Sequence, residues 1–179
     1  SLNSSRNSPV LEKALVDVRV SVMPSIYGEK IVMRLLEKTE GIMTFEELGI
    51  APQIIRAIQE LGFEKPMPVQ EEVIPLMLSG TRDIIALAQT GTGKTAAFGL
   101  PLIQEADPDE KYPQALVLCP TRELCVQITN DLNDYARYSG KIFVQAVYGG
   151  SSIVTQMTAL KKGVQIVVAT PGRMIDLIE

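Results

Sequence analysis

The stretch DIIALAQTGTGKTAAF, residues 83–98, constrains this chain more than any other. Its apolar run, 83–88, reads as a buried strand, and a loop of glycine and threonine follows it. Gly91 and Gly93 permit a tight curl that turns several backbone N–H groups toward one point. A helix starting near Lys94 adds its own unpaired N–H groups and the positive end of its dipole. Lys94 supplies a mobile cation for β- and γ-phosphates, and Thr95 a hydroxyl for Mg²⁺. Gln89, Thr90 and Thr92 complete the cradle. A strand before and a helix after is the context a P-loop requires, although the strict pattern has glycine where this chain has Ala88. The expectation is a nucleoside triphosphate with Mg²⁺ on residues 89–95, Lys94 and Thr95 acting in catalysis and Thr95 touching the metal. The plainer alternative is a glycine-rich turn with an incidental lysine.

The rest of the chain supplies a fold for that loop. Apolar runs rich in Ile and Val recur at 83–88, 115–119, 141–147 and 165–170, separated by helical stretches. Strands apolar on both faces that alternate with helices indicate a parallel sheet covered on both sides. Ligands of such a sheet sit beyond the carboxyl ends of the strands, where the P-loop lies. Pro52 opens a helix to about Leu61 that Gly62 can close, and Pro68 opens another with an internal Pro75 that should kink it. Thr44 and Glu47 have capping-box spacing. Ahead of them, residues 16–22 alternate apolar and polar, Pro24 and Gly28 mark a turn, and a second apolar run follows, so 16–36 reads as a β-hairpin.

Composition removes several classes. At 179 residues with 46% apolar content the chain is one ordinary domain with a small appendage. No apolar run is long enough for a membrane span, and the polar start, residues 1–9, has no signal core and reads as a flexible tail. Cys119 and Cys125 match no zinc spacing, and read as reduced packing residues of a cytoplasmic protein. A net charge of −4 excludes a globally basic nucleic-acid binder but not one that grips phosphates locally.

The residues around the P-loop say which machine it serves. AQTGTGKT resembles motif I of the DEAD-box ATP-dependent RNA helicases. GFEKPMPVQ, 62–70, resembles that family's Q motif, and Phe45 lies 25 residues before Gln70, the spacing of the family's isolated aromatic. PTRELCVQ resembles motif Ia, Gly149-Gly150 the GG motif, and TPGR, 170–173, motif Ib. The signals fall in the family's order. The resemblance implies a RecA-like α/β fold that binds ATP and Mg²⁺, with Gln70 on the adenine edge and Phe45 stacked on the base. For each of these two residues packing is the alternative. It further implies that Pro120, Thr121, Arg122, Gly149, Gly150, Thr170, Gly172 and Arg173 hold an RNA sugar-phosphate backbone without reading bases. Met67 stands where the family usually has Thr or Ser.

Two features depart from the family. Its D-E-A-D carboxylates, motif III and second RecA-like domain with an arginine finger would follow, but this chain stops six residues after Arg173. The sheet is therefore expected to be incomplete at the C-terminus, and the chain to bind nucleotide without turnover. At the other end, VDVRVSVMPSIYGEKIVMRLLEK resembles the stretch preceding the motor of type II secretion and type IV pilus assembly ATPases. Residues 10–42 are then a leader of foreign origin, or a helicase extension, ahead of a partial RecA-like domain at 43–179. Competing readings are an engineered or chimeric non-catalytic nucleotide-binding module and a secretion or pilus ATPase.

Overall fold

The computed structural model describes residues 16–25, 28–37, 43–80 and 83–178, the first two stretches by backbone alone. The expected tail, residues 1–9, and the side chains of the leader lie outside the described residues. The chain divides into two compact units, 1–42 and 43–179. In the first, β1 (Val16–Ser25) and β2 (Gly28–Glu37) pair antiparallel, from Val16 opposite Glu37 to Ser25 opposite Gly28.

The second unit is α/β. Its helices are α1 (Pro52–Glu60), α2 (Pro68–Ser79), α3 (Lys94–Glu105), α4 (Arg122–Tyr135), α5 (Ile153–Lys161) and α6 (Pro171–Ile178). Three parallel strands, β3 (Ala115–Leu118), β4 (Val144–Val147) and β5 (Ile166–Ala169), form a sheet in the order β3-β5-β4. Turn chemistry sets the helix ends. Pro52 is at the start of α1, where a missing N–H costs nothing. Gly62, at φ 87°, closes it: Gly62 N–H donates to the Gln59 carbonyl and Phe63 N–H to that of Ile58, a Schellman arrangement. Helix α2 continues through Pro75 and stops at Gly80, φ 61°.

The central strand β5 is buried at all four positions and splits by alternation. Ile166 and Val168 join the core built with Leu100 and Ile103 of α3 and Cys125, Ile128 and Leu132 of α4. Val167 and Ala169 face the other way, into a smaller core with Leu160 and with Met174 and Leu177 of α6. Helices thus cover both faces of β5, as its continuous apolar run predicts.

One expected strand does not form. Residues 83–88 are irregular, and Ile85 and Leu87 are 92% and 95% exposed. An extended segment becomes a strand only by pairing its backbone, and β3 pairs with β5 alone among the described strands. Leu116 and Leu118 of β3 are apolar and exposed too.

Candidate functional site

The P-loop is held by two left-handed glycines, Gly91 at φ 77° and Gly93 at φ 80°. Gly93 immediately precedes Lys94, the first residue of α3, whose first-turn N–H groups have no partner within the helix. The Lys94 ammonium folds back onto the loop, donating to the carbonyls of Ala88 and Gln89, each at 2.6 Å. The Thr92 hydroxyl donates to the Gln89 carbonyl at 2.7 Å. A cation on two neutral carbonyls is weakly held compared with one on a phosphate oxygen, so Lys94 is available to an anion entering the loop. Thr95 is half-buried beside it. Among the described residues no group of three or more His, Cys, Asp or Glu is placed to hold a metal ion.

Gln70 braces the loop from outside. Its side chain is fully buried; Oε1 accepts from Met67 N–H at 2.9 Å and Nε2 donates to the Gly93 carbonyl at 3.1 Å. Met67, at the N-cap of α2, rests its side chain against Gly93.

A second constellation lies at the carboxyl ends of the three strands. Thr121 caps α4 after β3, accepting from Leu124 N–H at 3.3 Å; Ser152 caps α5 after β4, and α6 begins just after Thr170 at the end of β5. The Arg122 guanidinium lies over the Tyr148 ring, 4.9 Å from its centroid, and a Cβ on Gly150 would stand 3.4 Å from Arg122 Nη1. Arg173 reaches back under the glycine pair: Nη1 donates to the Ser151 carbonyl at 3.0 Å and to Gln156 Oε1 at 3.3 Å. Its Nε lies 3.5 Å from Asp176 Oδ2, an ion pair without a formed hydrogen bond. Pro120, Thr121, Arg122, Gly149, Gly150 and Gly172 are exposed, and Thr170 is half-buried.

The DEAD/DEAH box helicase family matches residues 67–179, over half of the chain. This chain belongs to that family. ATP-dependent RNA helicase DeaD of Escherichia coli (strain K12) is 51% identical over 133 residues, 74% of this chain and 21% of that protein. DeaD of Mycobacterium tuberculosis (strain H37Rv) is 48% identical over 136 residues, 76% of this chain and 24% of the relative. The chain thus spans about a fifth of the length of the first of these relatives. Among solved structures, a DEAD box protein from the hyperthermophile Methanococcus jannaschii superposes with a TM-score of 0.72 at 41% identity, covering 76% of this chain and 37% of that one. Dbp5 of S. cerevisiae, bound to RNA and ADP BeF3, gives 0.66 at 36% identity, over 75% and 34%. Residues 4–102 also match the Type II/IV secretion system protein family, so two family signatures overlap across the P-loop.

Within this DEAD/DEAH box chain the expected nucleotide residues divide. Residues 89–95 are contiguous and form one loop. Phe45, expected to stack on a base, is 5% exposed and packs in the core with its ring 6.2 Å from that of Phe63. Gln70 touches the loop, with its amide used on Met67 and Gly93. The expected RNA residues gather on three neighbouring strand ends, but Arg173 is turned inward, its side chain 12% exposed. Sequence reasoning missed Tyr148 and Gln156. Gln156 is the lone buried residue of α5, and the sequence does not single it out, since Thr155, Thr158 and Lys161 of the same helix are polar too. Cys119 and Cys125 are free and buried, as packing residues should be, and burial, then Cys125, pushes the Cys119 thiol up to about 11.

Proposed function

We propose that residues 43–178 are the nucleotide-binding part of the first RecA-like domain of an ATP-dependent RNA helicase. The observation that carries this reading is the Lys94 ammonium resting on the carbonyls of Ala88 and Gln89, inside a loop turned by Gly91 and Gly93. ATP phosphates take the N–H groups of the loop and of the first turn of α3, and Lys94 exchanges two carbonyls for β- and γ-oxygens. Thr95 contributes one hydroxyl to Mg²⁺, an ion that would neutralise phosphate charge when bound. RNA lies by its sugar-phosphate backbone across the ends of β3, β5 and β4, near Thr121, Arg122, Gly149, Gly150, Thr170 and Gly172. Contacts of this kind position a strand without reading its bases. The D-E-A-D carboxylates and a second RecA-like domain complete the machine, which works in the cytoplasm. Among the described residues no helix is long and apolar enough to cross a membrane.

A second reading concerns the first 42 residues. The match of residues 4–102 to the Type II/IV secretion system protein family favours a leader of foreign origin, and hence a chimeric chain. On that reading, deleting residues 1–42 leaves nucleotide affinity unchanged.

The test is titration with fluorescent ADP and with single-stranded RNA. ADP should bind the wild type and bind Lys94→Ala at least tenfold more weakly. RNA affinity should be indifferent to sequence and fall steeply between low and moderate salt. Undiminished ADP binding to Lys94→Ala would remove the P-loop assignment. An RNA preference that survives high salt would remove the backbone-led one.

A further inference from the structure

Two adjacent glycines make a poor scaffold. A Cβ added to Gly149 would meet nothing within 4 Å, and Gly150 sits at φ 83°. Beside them is an open cavity of about 310 Å³, lined in part by Tyr148, Ser151, Ser152 and Thr155. The loop has little apolar packing to fix it, so its conformation must be imposed by directed bonds.

Gln156 provides two of them, and Arg173 adds a third to the Ser151 carbonyl. Gln156, 5% exposed on α5, points its amide into the loop. Its Nε2 donates to the Tyr148 carbonyl at 3.0 Å and to the Ser151 hydroxyl. Its Oε1 accepts from Arg173 Nη1. The Tyr148 ring in turn underlies Arg122. A single buried amide therefore ties the segment after β4 to the start of α6 after β5, and reaches α4 after β3 through one aromatic ring. The chemistry fits an amide better than a carboxylate or a thioether of the same length. The Tyr148 carbonyl needs a donor and the Arg173 guanidinium needs an acceptor. A carboxylate would serve Arg173 but repel the carbonyl, and a thioether would serve neither.

We infer that Gln156 is the positioning residue that sets the spacing of the three phosphate-binding strand ends. It touches no RNA itself. The inference rests on the RNA reading above, and deepens it: the three loops act as one preformed unit. If so, Gln156 should govern affinity for any single strand irrespective of base, and its effect should pass to Arg122, which it does not contact.

The experiment uses the full 179-residue chain. Gln156→Met keeps the length of the side chain and removes its hydrogen bonds; Gln156→Glu keeps only the Arg173 partner. Both should weaken binding of an oligouridine and an oligoadenine alike, by about tenfold, a loss expected for one or two buried hydrogen bonds. ADP affinity should stay within about twofold of the wild type, which controls for folding. In a double-mutant cycle, Arg122→Ala should cost less in the Gln156→Met background than alone. Additive losses would overturn transmission through Tyr148, and unchanged RNA affinity in both variants would overturn the positioning role. Amide hydrogen exchange at residues 149–152 separates the two readings. Should the wild type bind no RNA, the RNA reading fails by itself, and faster exchange in Gln156→Met still upholds the loop-holding role while unchanged exchange overturns it.

Discussion

The side-chain amide of Gln70 closes on the main-chain carbonyl of Gly93 at 3.1 Å, and a Cβ at position 93 would collide with that same nitrogen. The Q-motif helix and the P-loop are thus in direct contact, with space for glycine alone. Gly93 is also left-handed, at φ 80°. Gly93→Ala should therefore cost about 1–2 kcal/mol in backbone strain before the collision is counted. Gln70→Ala should cost about 1–3 kcal/mol, because Met67 N–H and the Gly93 carbonyl lose their partner. Urea titrations measure both losses. Titration with ADP and GDP then shows whether the amide, freed by a nucleotide, also selects adenine. Equal affinity of the wild type for the two would confine Gln70 to bracing the loop.

Phe45 offers a clean separation of packing from recognition. Its ring is 5% exposed and part of a chain of contacts through Phe63 to Tyr135. Truncating a buried phenylalanine to alanine costs about 3–5 kcal/mol. Phe45→Ala should lower the melting temperature steeply. Phe45→Leu, which retains most of the apolar volume, should keep the fold and most of the ADP affinity. A large affinity loss in a well-folded Phe45→Leu would show that the ring meets the base.

Tyr135 gives the fold a signature at alkaline pH. Burial first, then Asp131 and Asp134, raise its hydroxyl from 10.0 to about 12. The folded protein therefore keeps the phenol neutral where the unfolded chain ionises it. Stability from this group is complete below pH 10 and is lost as pH rises from 10 toward 12, by at most roughly 2–3 kcal/mol. Cys119 acts in the same direction from pH 9 to about 11. In urea titrations from pH 8 to 11.5, Tyr135→Phe should flatten the upper part of the decline. An identical decline in the variant would mean that Tyr135 does not carry it.

The sequence and the structure agree where local chemistry decides and part where distant pairing does. Gly62 closes α1, Pro52 opens it, and three of the four Ile/Val-rich runs contain strands, trimmed at their ends. The P-loop was legible because its glycines, lysine and following helix are neighbours in sequence. Residues 83–88 read as a strand for the same compositional reason, yet a strand needs a partner that composition cannot supply, and Ile85 and Leu87 stay exposed. Gln156 was not legible. Within IVTQMTALK it is one of four polar residues, beside Thr155, Thr158 and Lys161, and its three partners come from positions 148, 151 and 173. Arg173 was legible as a member of TPGR but not as an inward-facing strut, since the direction of a side chain depends on which loop packs over it.

The same bareness bears on catalysis, and leads to the expectation that this chain binds ATP without hydrolysing it at a useful rate. Phosphoryl transfer depends on placing charge and an attacking water, through Mg²⁺, a carboxylate and an arginine finger. Near the P-loop the chain offers Mg²⁺ the Thr95 hydroxyl, and among the described residues no cluster of acidic side chains is placed for a metal. Asp176, one of the acidic residues that follow the loop, is paired with Arg173. An arginine finger alone is worth on the order of 10³–10⁵ in such rates. With no acidic cluster placed for a metal among the described residues, turnover by these 179 residues should approach background. In a phosphate-release assay with saturating RNA, wild type and Lys94→Ala should be indistinguishable, even though the variant binds ADP at least tenfold more weakly. Turnover that depends on Lys94 would mean that a carboxylate within these 179 residues reaches the γ-phosphate, and Glu123→Gln and Asp176→Asn would then identify which.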